Sequence, residues 1–230
     1  MFKGGKPEKD ASKLYDSHIT ATIPYYQAFN LEIINLVKAT GKEPVLWLDT
    51  GCGTGNLVSQ AAKVFPRTRF ILADPSAEML QEAKQKMKNN AVENYQVLAP
   101  CGTQEISLTG GGSPDVITAV LCHHYLDKEV RKSATGRCFH LLKGGGLYIT
   151  FENIRPVTAA GTEIGLANWR RFQIERGKSV EAAESHIKRF GIEYFPITIE
   201  EHLSLLKEAG FNAVELLWFS YLQAGFCAIK

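Results

Sequence analysis

The sequence predicts an α/β fold: a doubly wound, mainly parallel sheet, finished by an antiparallel C-terminal hairpin, with a helical insertion before that hairpin. Three observations carry this. Between Val45 and Phe151, short apolar runs alternate with segments of helical pattern, which is the signature of repeated β-α units. The glycine-rich turn Asp49-Thr50-Gly51-Cys52-Gly53-Thr54-Gly55 joins the first such run directly to a helical pattern. The last two apolar runs, Ala213–Phe219 and Leu222–Ile229, are separated only by Ser220 and Tyr221, too short a link for anything but antiparallel neighbours.

The elements follow in order. Met1–Asp10 reads as a frayed start. Thr22-Ile23-Pro24 reads as a helix entry, with Thr22 or Ile23 at the cap and Pro24 in the first turn. Phe29, Ile33, Ile34, Leu36 and Val37 then recur at helical spacing until Gly41, an αL cap. Strands are expected at Val45–Asp49, Phe70–Ala73, Tyr95–Leu98, Val116–Leu121 and Leu147–Phe151. Helices are expected at Asn56–Phe65, Ser76–Asn89 and Lys128–Leu142, a loop at Gly110–Pro114 and a tight turn at Lys143–Gly146. Right-handed crossovers make such a sheet doubly wound. Residues 154–197 break the alternation and exceed an ordinary αβ connection of about 2–6 residues. They read as a helical insertion, either a lid over a site or a peripheral helical pair, with a charged helix around Val180–Phe190. Thr198-Ile199-Glu200-Glu201 is a capping box, and its helix stops at Gly210. The chain thus divides into an N-terminal helical cap (1–40), an α/β core (41–153), the insertion (154–197) and a C-terminal helix and hairpin that complete the core sheet (198–230).

Composition narrows the class. Apolar residues make up 45% of the 230, enough for a large core, and the formal net charge of +2 gives no general argument for a nucleic-acid or membrane partner. No apolar run approaches the ~18–20 residues of a membrane span, and the polar N-terminus lacks a secretory pattern. The five cysteines are odd in number and widely spaced, with no Cys-x-x-Cys pair, so reduced thiols in a cytoplasmic protein are expected, with neither a disulfide frame nor a metal site.

The glycine turn places backbone amides and a helix N-terminus against a small charged ligand. A dinucleotide fingerprint would put its third glycine at position 56, where this chain has Asn56, and a phosphate loop would need a following lysine, which is absent. Asp74, ending the second strand, is placed to accept from a ribose diol; the alternative is a cap for the helix that follows. His123, His124 and Tyr125 follow the fourth strand and Glu152 follows the fifth, at the sheet edge where open α/β sheets bind ligands. His123 and Glu152 are therefore candidate general bases. Cys122 reads as packing ahead of nucleophile. Arg155, Arg170, Arg171, Arg176, Lys178, Lys188 and Arg189 in the insertion form either a solvated face or a site for an anionic acceptor.

Asp49–Gly55, Asp74-Pro75-Ser76, Asp115-Val116 and Leu141–Gly146 resemble, in their order, the motifs of class I S-adenosylmethionine (SAM)-dependent methyltransferases, from about Leu14 to the C-terminus. The closing hairpin is similar to that family's seven-stranded, Rossmann-like sheet. Tyr15-Asp16, Ile23–Tyr26 and the segment from Glu201 onward are loosely similar to the branch containing the carboxy-SAM synthase of tRNA modification. The resemblance implies SAM as cofactor and S-adenosylhomocysteine (SAH) as product. Asp49 and the amides of Gly51–Gly55, Cys52 and Gly53 among them, would hold the amino-acid end, with Tyr15 closing over it, and Asp74 the ribose. Pro75 and Met79 would flank the adenine; Cys101 and Gly102 would border its edge; Leu121 and Cys122 would lie below the sulfonium. Many relatives carry an Asp where this chain has Cys101, which leaves the adenine amine to backbone. Tyr26 and Arg189 would stand on the acceptor side, Arg189 nearest a modified SAM carboxylate. The function implied is methyl transfer from SAM to a small-molecule acceptor by in-line displacement, with proximity and desolvation. The alternatives are a carboxy-SAM-forming enzyme and a non-catalytic SAM-binding protein. Neither a membrane nor a nucleic acid is an expected partner, and the aromatic-rich insertion is a candidate homodimer interface.

Overall fold

The computed structural model describes residues 11–108, 110 and 112–230. The expected frayed start at 1–10 and part of the Gly110–Pro114 loop lie outside them. Two helices come first, α1 (Ala11–Thr22) and α2 (Tyr26–Ala39). The core alternates β1 (Leu46–Thr50), α3 (Asn56–Val64), β2 (Arg69–Ala73), α4 (Ala77–Asn89), β3 (Tyr95–Val97), β4 (Val116–Val120), α5 (Lys128–Leu141) and β5 (Leu147–Asn153). The insertion supplies α6 (Ala159–Glu175) and α7 (Val180–Lys188). The chain closes with α8 (Ile199–Glu208), β6 (Ala213–Ser220) and β7 (Gln223–Ile229).

The seven strands form one sheet in the order β3-β2-β1-β4-β5-β7-β6. Among the described strands β7 runs opposite to the other six, pairing antiparallel with both β5 and β6. The order reverses between β1 and β4, which are adjacent, so their carboxyl ends open a crevice at the switch point. Both faces are covered. Trp47, Phe70, Leu72 and Phe151 pack with Phe29 and Ile33 of α2 and Leu57 and Val58 of α3. Leu48, Ile71, Ile117, Tyr148 and Phe226 pack on the other face with Cys138 of α5 and Leu206 of α8. The capping box at Thr198 is present in full, with Thr198 Oγ1 accepting from Glu201 N at 3.1 Å and Glu201 Oε2 from Thr198 N at 2.7 Å.

One expectation is corrected. Thr22-Ile23-Pro24 does not open a helix but closes one. Proline lacks an N–H and disfavours helical geometry in the residue before it, so the chain breaks there as readily as it starts there. Thr22 Oγ1 instead donates to His18 O within α1, and α2 begins beyond Tyr25, whose φ is 58°. The insertion is helical, as expected, and packs on α1: the buried Trp169 indole donates to Thr22 O at 2.6 Å.

Candidate functional site

A cavity of about 650 Å³ lies at the carboxyl ends of β1, β2 and β4. A smaller one of about 30 Å³ shares its walls at Tyr15, Gly51, Gly53, Val120 and Leu121. Each wall follows from a local feature of the chain. The glycine turn is held by Cys52 N donating to Ala73 O and Gly55 N to Cys52 O. Gly51 has φ +63° and faces Cys122 so closely that a Cβ would stand 2.3 Å from Cys122 Cβ. Gly51→Ala is therefore expected to cost about 2 kcal/mol of stability, from left-handed strain plus overpacking. Gly53→Ala, with φ +53° but nothing within 4 Å, should show the strain alone; equal urea midpoints for the two variants would contradict this.

Asp74 is buried and bridges the turn. Its Oδ2 accepts from Gly53 N at 2.9 Å and its Oδ1 from Ser76 N at 2.8 Å. It is not the cap of α4, since Ser76 Oγ accepts from Met79 N in that role. Burial raises the Asp74 carboxyl above the usual range, against the two backbone hydrogen bonds. Asp49 is buried on the small cavity, and burial pushes its carboxyl up to about 7 despite a 2.7 Å hydrogen bond from Thr118 Oγ1. Burial also raises the thiols of Cys52 and Cys122 well above their ordinary range, which keeps both protonated and poorly nucleophilic.

α1 is the roof. Tyr15 faces both cavities, and Asp16 beside it ties the helix down. Asp16 Oδ1 accepts from Thr54 Oγ1 and Asn56 Nδ2, each at 2.7 Å, while its Oδ2 meets Lys86 Nζ of α4 at 2.5 Å.

The structure gathers most of the residues singled out above. Asp74, Pro75, Met79, Cys101, Gly102, Cys122 and His123 line the large cavity; Asp49, Cys52 and Tyr26 line the small one; Tyr15, Gly51, Gly53 and Leu121 border both. Two residues lie elsewhere. Glu152 is fully buried behind the wall, where it accepts from His123 N, His124 N, His124 Nδ1 and Thr150 Oγ1. All its acceptor sites are engaged, so it anchors the loop after β4 and does not face the cavity as a base. Arg189 pairs with Glu193 at 2.6 Å and lies over the Tyr194 ring, reaching the site only through Tyr125. Among the described residues, no lining residue comes from 154–197, so the insertion stands behind α1 and Tyr125, not over the cavity itself.

His123 is on the wall, but both its ring nitrogens have partners: Nε2 meets Thr103 Oγ1 at 3.1 Å and Nδ1 meets Tyr148 OH at 3.3 Å. Burial lowers its pKa to about 4, so the ring is neutral near pH 7. A general-base role would require it to give up one of these bonds. Sequence reasoning missed Thr103, Gln104 and Asn30 as lining residues, while Tyr125, singled out after the fourth strand, does line the large cavity. At the wall beside Cys101, Gly102 N donates to Glu105 Oε2 at 2.8 Å and Cys101 N to Asp74 O at 3.2 Å, so both backbone donors there are committed.

Comparison with known proteins places this geometry. A family profile described as a methyltransferase domain matches residues 48–148. The carboxy-S-adenosyl-L-methionine synthase of Desulforapulum autotrophicum is 24% identical over 228 residues, covering 96% of this chain and 90% of that protein. The one from Trichodesmium erythraeum is 22% identical, covering 95% and 85%. A putative O-methyltransferase from Nostoc punctiforme superposes with a TM-score of 0.67 at 20% identity, covering 96% of this chain and 59% of that one. Human N-acetylserotonin methyltransferase, solved in complex with SAM, does so with a TM-score of 0.60 at 16% identity, covering 97% and 59%. The chain thus spans about three fifths of these solved chains, and at such identity they show the shared Rossmann-like fold.

Proposed function

We propose that this protein is an enzyme that uses SAM as its cofactor to methylate a small-molecule acceptor, a reading supported by the methyltransferase-domain match at residues 48–148. The observation that carries the reading is the Asp74 carboxylate, buried on the cavity wall with each oxygen committed to only one backbone amide. A carboxylate accepts about four hydrogen bonds, so two remain for a ribose diol.

The other residues fit the same ligand. The small cavity presents the Asp49 acid to an ammonium group, and the missing Cβ of Gly51 keeps the crevice open beside Cys122. Pro75 and Met79 offer apolar contact to a base, and Gln104 on the same wall has a side-chain oxygen, Oε1, without a partner among the described residues, an acceptor for the base's exocyclic amine. SAM, when bound, supplies a methyl group already activated on a sulfonium. The chain's part is to align the acceptor, through walls such as Tyr125, Leu126 and Val130, and to exclude water under the Tyr15 roof. The four saturated bonds of Glu152 and the two of His123 favour an acceptor that needs no strong base from either. The insertion supports α1 and so acts on the site through the roof. Among the described residues no helix is long and apolar enough to cross a membrane, and the five free thiols support placement in the cytoplasm.

A carboxy-SAM-forming activity is the second reading, favoured by similarity to such synthases along nearly the whole chain. One experiment separates the two. Mass spectrometry of the ligand that co-purifies should find SAM or SAH, and isothermal titration should show SAH binding in the micromolar range. A co-purified species heavier than SAM by a carboxylate would replace the first reading with the second. Absence of heat with both SAM and SAH would remove both.

A further inference from the structure

Asp49 has an unusual support. β1 and β4 pair in parallel with Asp49 opposite Thr118 and Trp47 opposite Val116. The alternation of strand side chains puts Trp47, Asp49 and Thr118 on one face. There the Trp47 indole Nε1 donates to Thr118 Oγ1 at 2.9 Å, and Thr118 Oγ1 donates to Asp49 Oδ1 at 2.7 Å. All three side chains are buried, Trp47 and Thr118 completely. The hydroxyl has one hydrogen; with the indole on its oxygen, that hydrogen goes to the carboxylate. Bonds linked this way polarise one another.

We propose that Thr118, oriented by the Trp47 indole, is a positioning residue that keeps Asp49 ionised toward the ammonium end of the cofactor. This rests on the reading of the crevice as a SAM site.

The groups around Asp49 make that support necessary. Asp74 from the end of β2 opposes its charge. Cys52 in the turn and Cys122 after β4 are protonated thiols with no positive charge to offer. From the helices, the small cavity it lines is also lined by Tyr26 of α2, whose hydroxyl burial pushes up to about 12, and by Tyr15 of α1, also raised well above its usual value by burial. Asn30 is neutral. Among the described residues lining the small cavity there is no lysine or arginine. Among the described residues, the Thr118 hydrogen bond is what lowers the Asp49 pKa, and it works against burial that brings the carboxyl to about 7.

The test is the pH dependence of SAH affinity between pH 6 and 8.5, measured by isothermal titration beside 5′-methylthioadenosine, which has the adenosine but no amino-acid end. In the wild type, SAH affinity should rise with pH through about 7, as Asp49 ionises, while methylthioadenosine affinity stays flat. Thr118→Val, which keeps the shape and removes the hydroxyl, should move the rise upward by about one pH unit. SAH would then bind several-fold more weakly at pH 7, with a smaller gap at pH 8.5 and methylthioadenosine unaffected. Thr118→Ser should restore the wild-type profile. Trp47→Phe should displace it in the same direction by less, and serves if the valine variant does not fold. An SAH profile unchanged in Thr118→Val, or in Trp47→Phe in its stead, would overturn the proposal and leave the adenosine site standing. Failure of the wild type to bind either compound would overturn the SAM site and this inference with it.

Discussion

Asp74→Ala should weaken SAH binding about 100-fold or more while leaving a folded protein. Each hydrogen bond to a charged group contributes about 1.5–3 kcal/mol, so losing two ribose contacts removes about 3 kcal/mol or more, and 1.4 kcal/mol is a factor of ten. The substitution also frees Gly53 N and Ser76 N, which Asp74 now holds at 2.9 and 2.8 Å. The two effects can be separated. Asp74→Asn keeps one acceptor oxygen and turns an NH₂ toward the other amide, so it should loosen the turn and still hold one hydroxyl. An SAH analogue lacking the ribose 2′-hydroxyl should lose affinity for the wild type but little further for Asp74→Ala. A coupling of that kind shows that carboxylate and diol meet. Undiminished SAH affinity in a stable Asp74→Ala protein would reduce Asp74 to a brace for the glycine turn. Because burial raises the Asp74 carboxyl, and only its ionised form accepts from both hydroxyls, affinity should also fall as pH is lowered.

This dependence on a few groups reflects where they stand. The sheet reverses its order at β1 and β4, and the groups that meet the crevice hang from the carboxyl ends around that point: Asp49 and the glycine turn after β1, Asp74 after β2, Cys101 and Gly102 after β3, and Leu121, Cys122, His123 and Tyr125 after β4. α1 closes the third side through Tyr15 and is held by Asp16, Thr54, Asn56 and Lys86. Entry or release of a ligand under that roof would have to act against this cluster.

The core was legible because its signals are local. Apolar runs of strand length, glycines at a turn, a capping box and a two-residue hairpin link each declare themselves within a few positions. The mostly parallel sheet and its antiparallel end followed, as did Asp49, Gly51 and Asp74 at the crevice, whereas Cys101 and Cys122 on its wall followed only from the resemblance to the methyltransferases. α1 was not legible, because what fixes it is distant: Asp16 answers to Thr54, Asn56 and Lys86, 38 to 70 positions away. Its break at Pro24 looks in sequence like a beginning. Thr118 was silent for the same reason, since its meaning depends on the register that sets it opposite Asp49. Glu152 misled because β5 is buried on both faces along its whole length. The period-of-two pattern that distinguishes inward from outward is lost there, and an acid at a strand's carboxyl end reads as chemistry. Only its partners, the amides of His123 and His124, reveal a structural anchor.

That anchor gives the second large effect. Glu152→Gln should destabilise the fold by about 3–5 kcal/mol, the scale for breaking a buried pair and leaving its partners unmatched. In the native chain Oε1 accepts from His123 N at 3.0 Å and Thr150 Oγ1 at 3.1 Å, and Oε2 from His124 N at 3.0 Å and His124 Nδ1 at 2.6 Å. An amide has one acceptor oxygen, so its NH₂ would face two of these donors whichever way it turned. The loop carrying His123, Tyr125 and Leu126 into the cavity would lose its brace, and SAH affinity should fall with stability. The acid response follows from the same bonds. Burial alone would raise the Glu152 carboxyl, but the hydrogen bond and charge of His124 hold it below the ordinary range. A carboxyl whose folded pKa lies below its unfolded value, about 4.3, stabilises the fold fully above that value and less as pH falls through the folded one. Urea denaturation of the wild type should therefore show stability declining below about pH 4.3, with a shallower decline in Glu152→Gln because part of that contribution is already gone. If Glu152→Gln instead kept full stability and SAH affinity but lost turnover, the residue would be acting on the acceptor as a base, and its placement as an anchor would be wrong.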